Sequence, residues 1–486
     1  MLAALRDPRR LRTEVVAGLV VALALIPEAI SFSIIAGVDP RLGLFASFTM
    51  AVSIAFLGGR PAMISAATGA IALVVAPLAL EHGVDYLLAA VILGGVLQVL
   101  LGLAGVARLM RFVPRSVMVG FVNALAILIF LAQMPYLVGA PWPVYPLVAV
   151  GIGLIVLAPK VTDAVPGPLV AIVVITAFTL AAGLALPDVS DQGDLPESLP
   201  ALLFPNVPLT LETLRIIAPF ALAVALVGLL ESLLTAKLVD DITDTPSDKT
   251  RESLGQGAAN VITGFFGGMG GCAMIGQTMI NVKSSGARTR ISTFMAGLLL
   301  LVLVVGFGDL VGMIPMAALV AVMIMVAVAT FDWHSVAPAT LRRMPKSETT
   351  VMVSTVAVVV ATHNLAIGVV VGVLVAMTLF ARRVAHLAEV HRELVEDADG
   401  RVHARYTVTG ELFFASSNDL YTQFDYADDP EHVVVDLGLS HVWDASTVAA
   451  LDGIVTKYER KGKRVEIVGL NRASASMHER LSGQLA

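Results

Sequence analysis

From residue 14 to residue 381 long apolar runs alternate with short clusters of charge, proline and glycine. Punctuated that way, the stretch divides into fourteen segments: 14–35, 42–57, 61–80, 86–107, 114–138, 144–159, 168–186, 214–238, 253–267, 271–283, 290–307, 312–331, 347–362 and 366–381. A run of about 17–25 apolar residues is long enough to cross a bilayer as a helix, so the pattern predicts a polytopic membrane domain. Several segments are short for a full crossing. Those at 61–80 and 271–283 are also interrupted by Gly, Pro, Ser or Thr. From about residue 387 charge returns and the period shortens. VHARYTV (402–408), HVVVDLG (432–438) and RVEIVGL (464–470) predict strands. DASTVAALDGIVTKYERKG, beginning at Asp444, predicts a capped amphipathic helix. The expected architecture is an all-α membrane domain over 1–386, followed by a small cytoplasmic α/β domain over 387–486.

Fourteen segments divide into two sevens, about 14–187 and 213–383. An odd number per half forces the halves into opposite orientations, the inverted repeat of many secondary transporters. Three short matches support it: IPEAI around Glu28 with LLESL around Glu231, offset 203; VPRSVMVG at Val113 with IPMAALVA at Ile314, offset 201; and AMISAATG at Ala62 with AMIGQTMI at Ala273, offset 211. Both members of the third pair follow Gly-Gly and run through small and hydroxyl residues into a short apolar helix. Interrupted segments in matching places of two halves point to a binding site at the bilayer midplane. Each half-helix would present free N–H groups and a positive dipole end, and two such ends facing one another make an anion site without a basic side chain.

Composition agrees. The 486-residue chain is 57% hydrophobic with mean hydropathy +0.84, and only 14% of its residues are charged, against about 25% for soluble domains. The spread of the runs argues against a removable signal peptide. The single cysteine, Cys272, excludes an intramolecular disulfide, and no basic stripe with interleaved aromatics supports nucleic-acid binding. No metal-ligand cluster, triad spacing or phosphate loop points to an enzyme. Cation placement sets orientation. Arg6, Arg9, Arg10 and Arg12 put the N-terminus in the cytoplasm; Arg60, then Arg108, Arg111 and Arg115, then Lys160 follow on the same side. So do Lys237, Lys249 and Arg251, then Lys283, Arg288 and Arg290, then Arg342, Arg343 and Lys346, then Arg382 and Arg383, leaving only Arg41 and Arg215 outside. Both termini are expected inside.

Across the spans, Glu28 and Glu231 are the acids well inside an apolar segment, and intramembrane acids are functional candidates by default. Pro27 removes a backbone donor beside Glu28. An ionised carboxylate beside an anion site repels the anion; a protonated one donates a hydrogen bond to it. Proton and anion occupancy should therefore favour each other, the thermodynamic content of symport. Thr235 follows Glu231 by one turn. That pair offers a carboxylate and a hydroxyl for Na⁺ or a proton, unless Thr235 bonds its own helix.

These residues resemble the SulP anion permeases, the solute carrier 26 family. The resemblance lies in ALIPEAISFSIIAGVDPRLGLFASF (24–48), FVPRSVMVGFVNALAILIFLAQ (112–133), VPGPLVA (165–171), VGLLESLLTAK (227–237) and GQGAANVITGFFGGMGGCAMIGQTMINVKSSGART (255–289). VVVDLGLSHVWDASTVAAL resembles a STAS domain. The resemblance implies seven-plus-seven inverted repeats of the uracil-transporter type, split into core and gate subdomains, and typically a homodimer. It implies an anion held between the third and tenth segments, near Ala67, Thr68 and Gly69 and near Met274, Ile275, Gly276 and Gln277. Glu28, Phe32 and Glu231 from the first and eighth segments would complete the site. Many members carry Gln where this chain has Glu28, and Arg after a Ser where it has Gln277, so the site here gains an acid and loses a base. Ser446 stands where anti-sigma-factor antagonists are phosphorylated, although Asp444 and Ser446 also read as a plain helix cap.

The expected function is proton-coupled import of a small anion such as a dicarboxylate, by a multi-pass protein of the cell inner membrane. Glu28 is the coupling carboxylate; no cofactor or resident metal is expected, and the coupling ion is H⁺. Na⁺-coupled bicarbonate uptake through Glu231 and Thr235 is the first rival. Sulfate or other anion exchange, a nucleobase transporter of similar plan and an anion channel follow.

Overall fold

The structure, a computed structural model, describes residues 7–106, 108, 113–161, 165–385, 388–396 and 401–484. Arg6, Arg111 and the expected 386/387 domain boundary lie outside the described residues. The chain forms two compact units, Met1–Val373 and Leu374–Ala486.

The first repeat comprises helices α1 (Pro8–Ile35), α2 (Pro40–Leu57), α3 (Gly69–His82), α4 (Val84–Leu103), α5 (Arg115–Leu131), α6 (Val144–Val161) and α7 (Gly167–Ala181). The second comprises α8 (Leu211–Thr243), α9 (Lys249–Phe265), α10 (Ile275–Met279, continued by a π turn over Ile280–Ser284), α11 (Arg290–Gly306), α12 (Met316–Thr330), α13 (Lys346–Thr362) and α14 (Leu365–Ala385). Each expected segment has its helix. Seven helices among the described residues are long and apolar enough to cross a membrane, with Gly69–His82, Gly167–Ala181, Arg290–Gly306 and Met316–Thr330 as shorter apolar helices. This is a multi-pass membrane protein. Helix starts follow local chemistry: Asp7, Thr68, Thr210 and Asp248 accept backbone N–H bonds as N-caps of α1, α3, α8 and α9.

Packing carries the repeat. The main pairs are α4 with α9 and α11 with α2, α11 with α1 and α4 with α8, α5 with α13 and α12 with α6. Moving each helix seven places along the chain turns the first member of each couple into the second, as an internal two-fold requires. Helices α1–α4 and α8–α11 pack as one group, and α5–α7 with α12 and α13 as another, which α14 joins where Gly368 and Gly372 lie against Val359 and Thr355 of α13. Contacts between the groups run through α1 to α7 and α12, and through α3 to α5. Small residues permit the closest crossings. A Cβ on Gly95 of α4 would lie 2.6 Å from Gly257 O of α9, and one on Gly257 would lie 2.6 Å from Gly95 O.

At the centre the segments before α3 and α10 form two-residue strands, β1 (Ser65–Ala66) and β2 (Cys272–Ala273). They pair antiparallel, Ser65 opposite Ala273 and Ala66 opposite Cys272. The same two-fold therefore matches Ser65 with Cys272, and the N-caps match Thr68 with Met274. This corrects the third sequence match: the true offset is 206–207, not 211, because a shared Ala-Met-Ile string drew the alignment off register. Gly271 has to be glycine for this pairing, since a Cβ there would collide with Ala66 O.

The C-terminal unit holds a four-stranded sheet in the order β3 (Glu389–Glu396), β4 (Val402–Leu412), β5 (His432–Val442), β6 (Arg464–Val468). Strand β3 is antiparallel to β4 and the other pairs are parallel. Helices α15 (Phe414–Leu420), α16 (Ala445–Glu459) and α17 (Arg472–Leu481) complete it. The three expected strands and the helix after Asp444 are present. Strand β3 was not expected: it is exposed along most of its length and carries charge at half of its positions, so it lacks an apolar alternation. Tyr406 and Tyr458 lie fully buried in the core, where both hydroxyls donate to Asp429 Oδ2, at 2.7 and 2.5 Å. Arg392 pairs with Asp429 Oδ1 at 2.7 Å.

Burial, then the Asp429 acceptor, pushes the Tyr458 and Tyr406 phenols up from the ordinary tyrosine value; burial pushes Tyr426 up to about 12. A phenol raised on folding stabilises the fold fully below its unfolded pKa and stops doing so as pH climbs toward the folded value. The C-terminal unit should lose stability above about pH 10. Denaturant midpoints of the full chain measured across that range should fall, and Tyr458→Phe should flatten the fall. An equal slope in the variant would rule out this phenol as the cause.

Candidate functional site

Helix α1 reaches both half-helices. Pro27 has no N–H to give Leu23 O, and Ser31 Oγ donates to Pro27 O at 2.7 Å. Glu28, partly buried, projects to α10, where Gln277 Nε2 donates to Glu28 Oε1 at 2.8 Å. One turn on, Phe32 is 3% exposed and lies against α3. A Cβ on Gly69 would stand 2.9 Å from Phe32 Cε1 and 3.1 Å from Ile129 Cδ1.

Helix α8 supplies the second carboxylate. Glu231 is buried, and Cys272 Sγ donates to its Oε2 at 3.0 Å. The same sulfur lies 3.1 Å from Thr68 Oγ1, the N-cap of α3. A polar chain thus runs from α8 through β2 to the start of α3. At the Glu231–Thr235 pair the structure shows the back-bonding that the sequence left open. Thr235 Oγ1 donates to Glu231 O at 2.8 Å, back-bonding its own helix rather than reaching the carboxylate. Ser232, the next residue on α8, accepts the Ala273 N–H at 3.0 Å.

The amides divide into those that brace the site and those that have no acceptor within their own helix. Ala67 N–H donates to Ser47 Oγ at 3.3 Å and Met274 N–H to Ile64 O at 2.9 Å. These two expected site residues therefore brace the half-helices. By position, the N–H groups of Gly69 and Ala70 in α3, and of Ile275, Gly276 and Gln277 in α10, have no acceptor within their own helices. The two ends differ in access. Thr68 and Gly69 are buried, Gly69 against Phe32 and Ile129. Gly276 is exposed, with open space where a Cβ would stand.

Sequence reasoning missed several buried polar groups. Cys272 is one; its only signal was that the chain's single cysteine falls inside the interrupted motif. Gln256 and Asn260, at helical spacing on one face of α9, are two more. Gln256 Nε2 donates to Ser65 Oγ at 2.7 Å, while Asn260 takes the Gly271 N–H at 2.9 Å and donates to Gln98 Oε1 at 2.9 Å. Two further carboxylates are buried near helix ends. Glu14 accepts the N–H groups of Arg288 and Thr289 at 2.9 and 3.0 Å, and Glu252 those of Gly59 and Arg60 at 2.7 and 2.9 Å. In the C-terminal unit Ser446 is exposed in the first turn of α16. Asp444 caps that helix through Thr447 N–H at 3.0 Å and also accepts the Phe414 N–H at 2.6 Å.

The pattern of the sulfate permease family matches residues 11–145 and 143–355. The chain belongs to this family. A STAS domain pattern matches residues 397–482. This sulfate permease family member is 52% identical over 472 residues, 97% of each chain, to the putative sulfate transporter YbaR of Bacillus subtilis (strain 168). It is 25% identical over 511 residues, 95% of this chain and 89% of the other, to the bicarbonate transporter BicA of Picosynechococcus sp.. Among solved structures, murine solute carrier 26 family member A9 superposes with a TM-score of 0.81 at 17% identity, covering 96% of this chain and 87% of that one. The transmembrane domain of a cyanobacterial BicA superposes with a TM-score of 0.64 at 24% identity, covering 76% and 98%. At those identities the structures establish a shared fold. The family is one of anion transporters, and the chain is an anion transporter of the SulP type.

The unequal half-helix ends predict unequal substitutions. Gly69→Ala should cost about 1–3 kcal/mol by overpacking Phe32 and Ile129. Gly276→Ala should leave stability within about 1 kcal/mol of wild type. Thermal unfolding in detergent compares the two, and equal melting temperatures would refute the asymmetry.

Proposed function

We propose that this anion transporter is a proton-coupled symporter that imports a small anion, with a dicarboxylate as the leading substrate class. The observation that carries this reading is the Gln277–Glu28 hydrogen bond at the accessible end of α10. A carboxylate held there opposes an anion while ionised and ceases to when it takes a proton, so each ligand raises the affinity for the other. The anion would sit between the free N–H groups at the starts of α3 and α10, with Phe32 packed over the α3 end. Glu231, joined to Cys272, is the second cation or gating group. Transport would move α1–α4 and α8–α11 against α5–α7 and α12–α14. The few elements bridging the two groups favour that motion.

We place the protein in the cell inner membrane with both termini cytoplasmic, from the Lys/Arg bias of alternate loops, and expect it to act as a homodimer. Regulation through Ser446 is a lesser expectation, supported by its exposure beside the α16 cap. Na⁺-coupled bicarbonate uptake draws support from the name of one relative, a bicarbonate transporter. Thr235 donates its hydroxyl proton to its own helix and keeps its oxygen lone pairs for a cation. Sulfate is kept in view by the name of the putative sulfate transporter from Bacillus subtilis.

Reconstitution in liposomes with a trapped pH dye tests the reading. Adding succinate, sulfate or bicarbonate with and without Na⁺ should acidify the lumen without Na⁺ for at least one anion. Glu28→Gln should reduce that proton flux by more than tenfold. Uptake that requires Na⁺ and survives Glu28→Gln would instead favour the sodium-coupled reading.

A further inference from the structure

The geometry points to Gln277 as the group that recognises the protonated form of Glu28, through an acid–amide pair of two hydrogen bonds. This rests on Glu28 carrying the coupled proton. Gln277 is 2% exposed. Its Nε2 donates to Glu28 Oε1 at 2.8 Å, while its Oε1 is buried with no hydrogen-bond partner. A buried acceptor left empty is unfavourable, and native interiors rarely tolerate one.

Chemistry says what would fill it. A primary amide presents a donor and an acceptor side by side. An ionised carboxylate presents two acceptors, so it can satisfy only the amide's donor. A carboxylic acid presents an acceptor and an O–H, the complement of the amide. When Glu28 takes a proton on Oε2, that O–H can donate to Gln277 Oε1 while Gln277 Nε2 keeps its bond to Glu28 Oε1. One hydrogen bond forms, none breaks, and no other group changes charge. The proton therefore joins α1 to α10 by two bonds instead of one, next to the open end at Gly276. It removes the negative charge in the same step.

No other charge competes for the role among the described residues. Gln277 is the hydrogen-bond partner of the Glu28 carboxylate. Of the titratable groups on elements packed against α1, Arg41 of α2 pairs with Asp39 and Asp194. Glu81 and His82 are exposed at the far end of α3, and Lys283 is exposed at the end of the π turn. Arg290 of α11 bonds the carbonyls of Ile54, Ala55 and Gly58. On α1 itself, Glu14 is held by the N–H groups of residues 288 and 289. Helices α7 and α12 carry no titratable side chain. Glu231 bonds Cys272.

Infrared spectroscopy of the full chain in lipid, titrated over pH, reads this pairing directly. The C=O stretch of protonated Glu28 is the acid band lost in Glu28→Gln. In wild type it should lie at the lowered frequency of a hydrogen-bonded acid. In Gln277→Met it should move to higher frequency, and the pH at which it appears should shift. Gln277→Asn keeps the amide but withdraws it by one methylene; it should move the band the same way and serves where the Met variant does not fold. A Glu28 band unmoved in both variants overturns the inference and leaves proton coupling through Glu28 standing. A wild type with no acid band sensitive to Glu28→Gln at any pH overturns the inference together with the proton-coupled reading beneath it.

Discussion

Backbone that leaves a helix at membrane depth has to find its hydrogen bonds within the protein, because lipid offers none. The two interrupted segments meet that constraint at the centre of the fold. Strands β1 and β2 pair with each other. Their flanks are closed by side chains: Ser232 and Asn260 accept the N–H groups of Ala273 and Gly271, Thr278 accepts that of Ile64, and Ser47 that of Ala67. Once these donors and acceptors are matched, the helix starts beyond them are left with free N–H groups. The proposed anion site is therefore a by-product of how the break is stabilised. Remove the bracing hydroxyls and amides, and the half-helices lose their reason to start where they do.

The internal two-fold is a property of the packing, and the site departs from it. Related helix pairs recur throughout the membrane unit, yet the two half-helix ends differ. One begins at Thr68, whose side chain caps it, and is covered by Phe32 and Ile129. The other begins at Met274 without a side-chain cap and opens at Gly276. A symmetric scaffold thus carries one covered and one open half-helix end.

Four buried or partly buried carboxylates show how environment sorts residues of one type. Glu14 and Glu252 accept several backbone N–H bonds and fasten loops to helices. Glu231 is held by a thiol, a weak donor. Glu28 has one amide donor and retains some exposure. Of these four, Glu28 is the one that is not fully buried.

The sequence alone determined the elements. Apolar runs between charge clusters located fourteen helices because length and hydropathy are local properties. Gly-Gly followed by hydroxyl residues located the two breaks, and a carboxylate in an apolar run singled out Glu28 and Glu231. Strand β3 escaped because an exposed, charged edge leaves no apolar alternation to read. Only the tertiary structure decided the contacts. It set the repeat register through the β1–β2 pairing, since short strings of Ala, Met and Ile match by chance at several offsets. It turned Thr235 onto its own helix and Cys272 toward Glu231, choices that depend on which partner lies within reach. It also brought Glu28 to Gln277 across 249 residues of chain. That last contact is set by how α1 and α10 pack, and no local pattern of side chains records it.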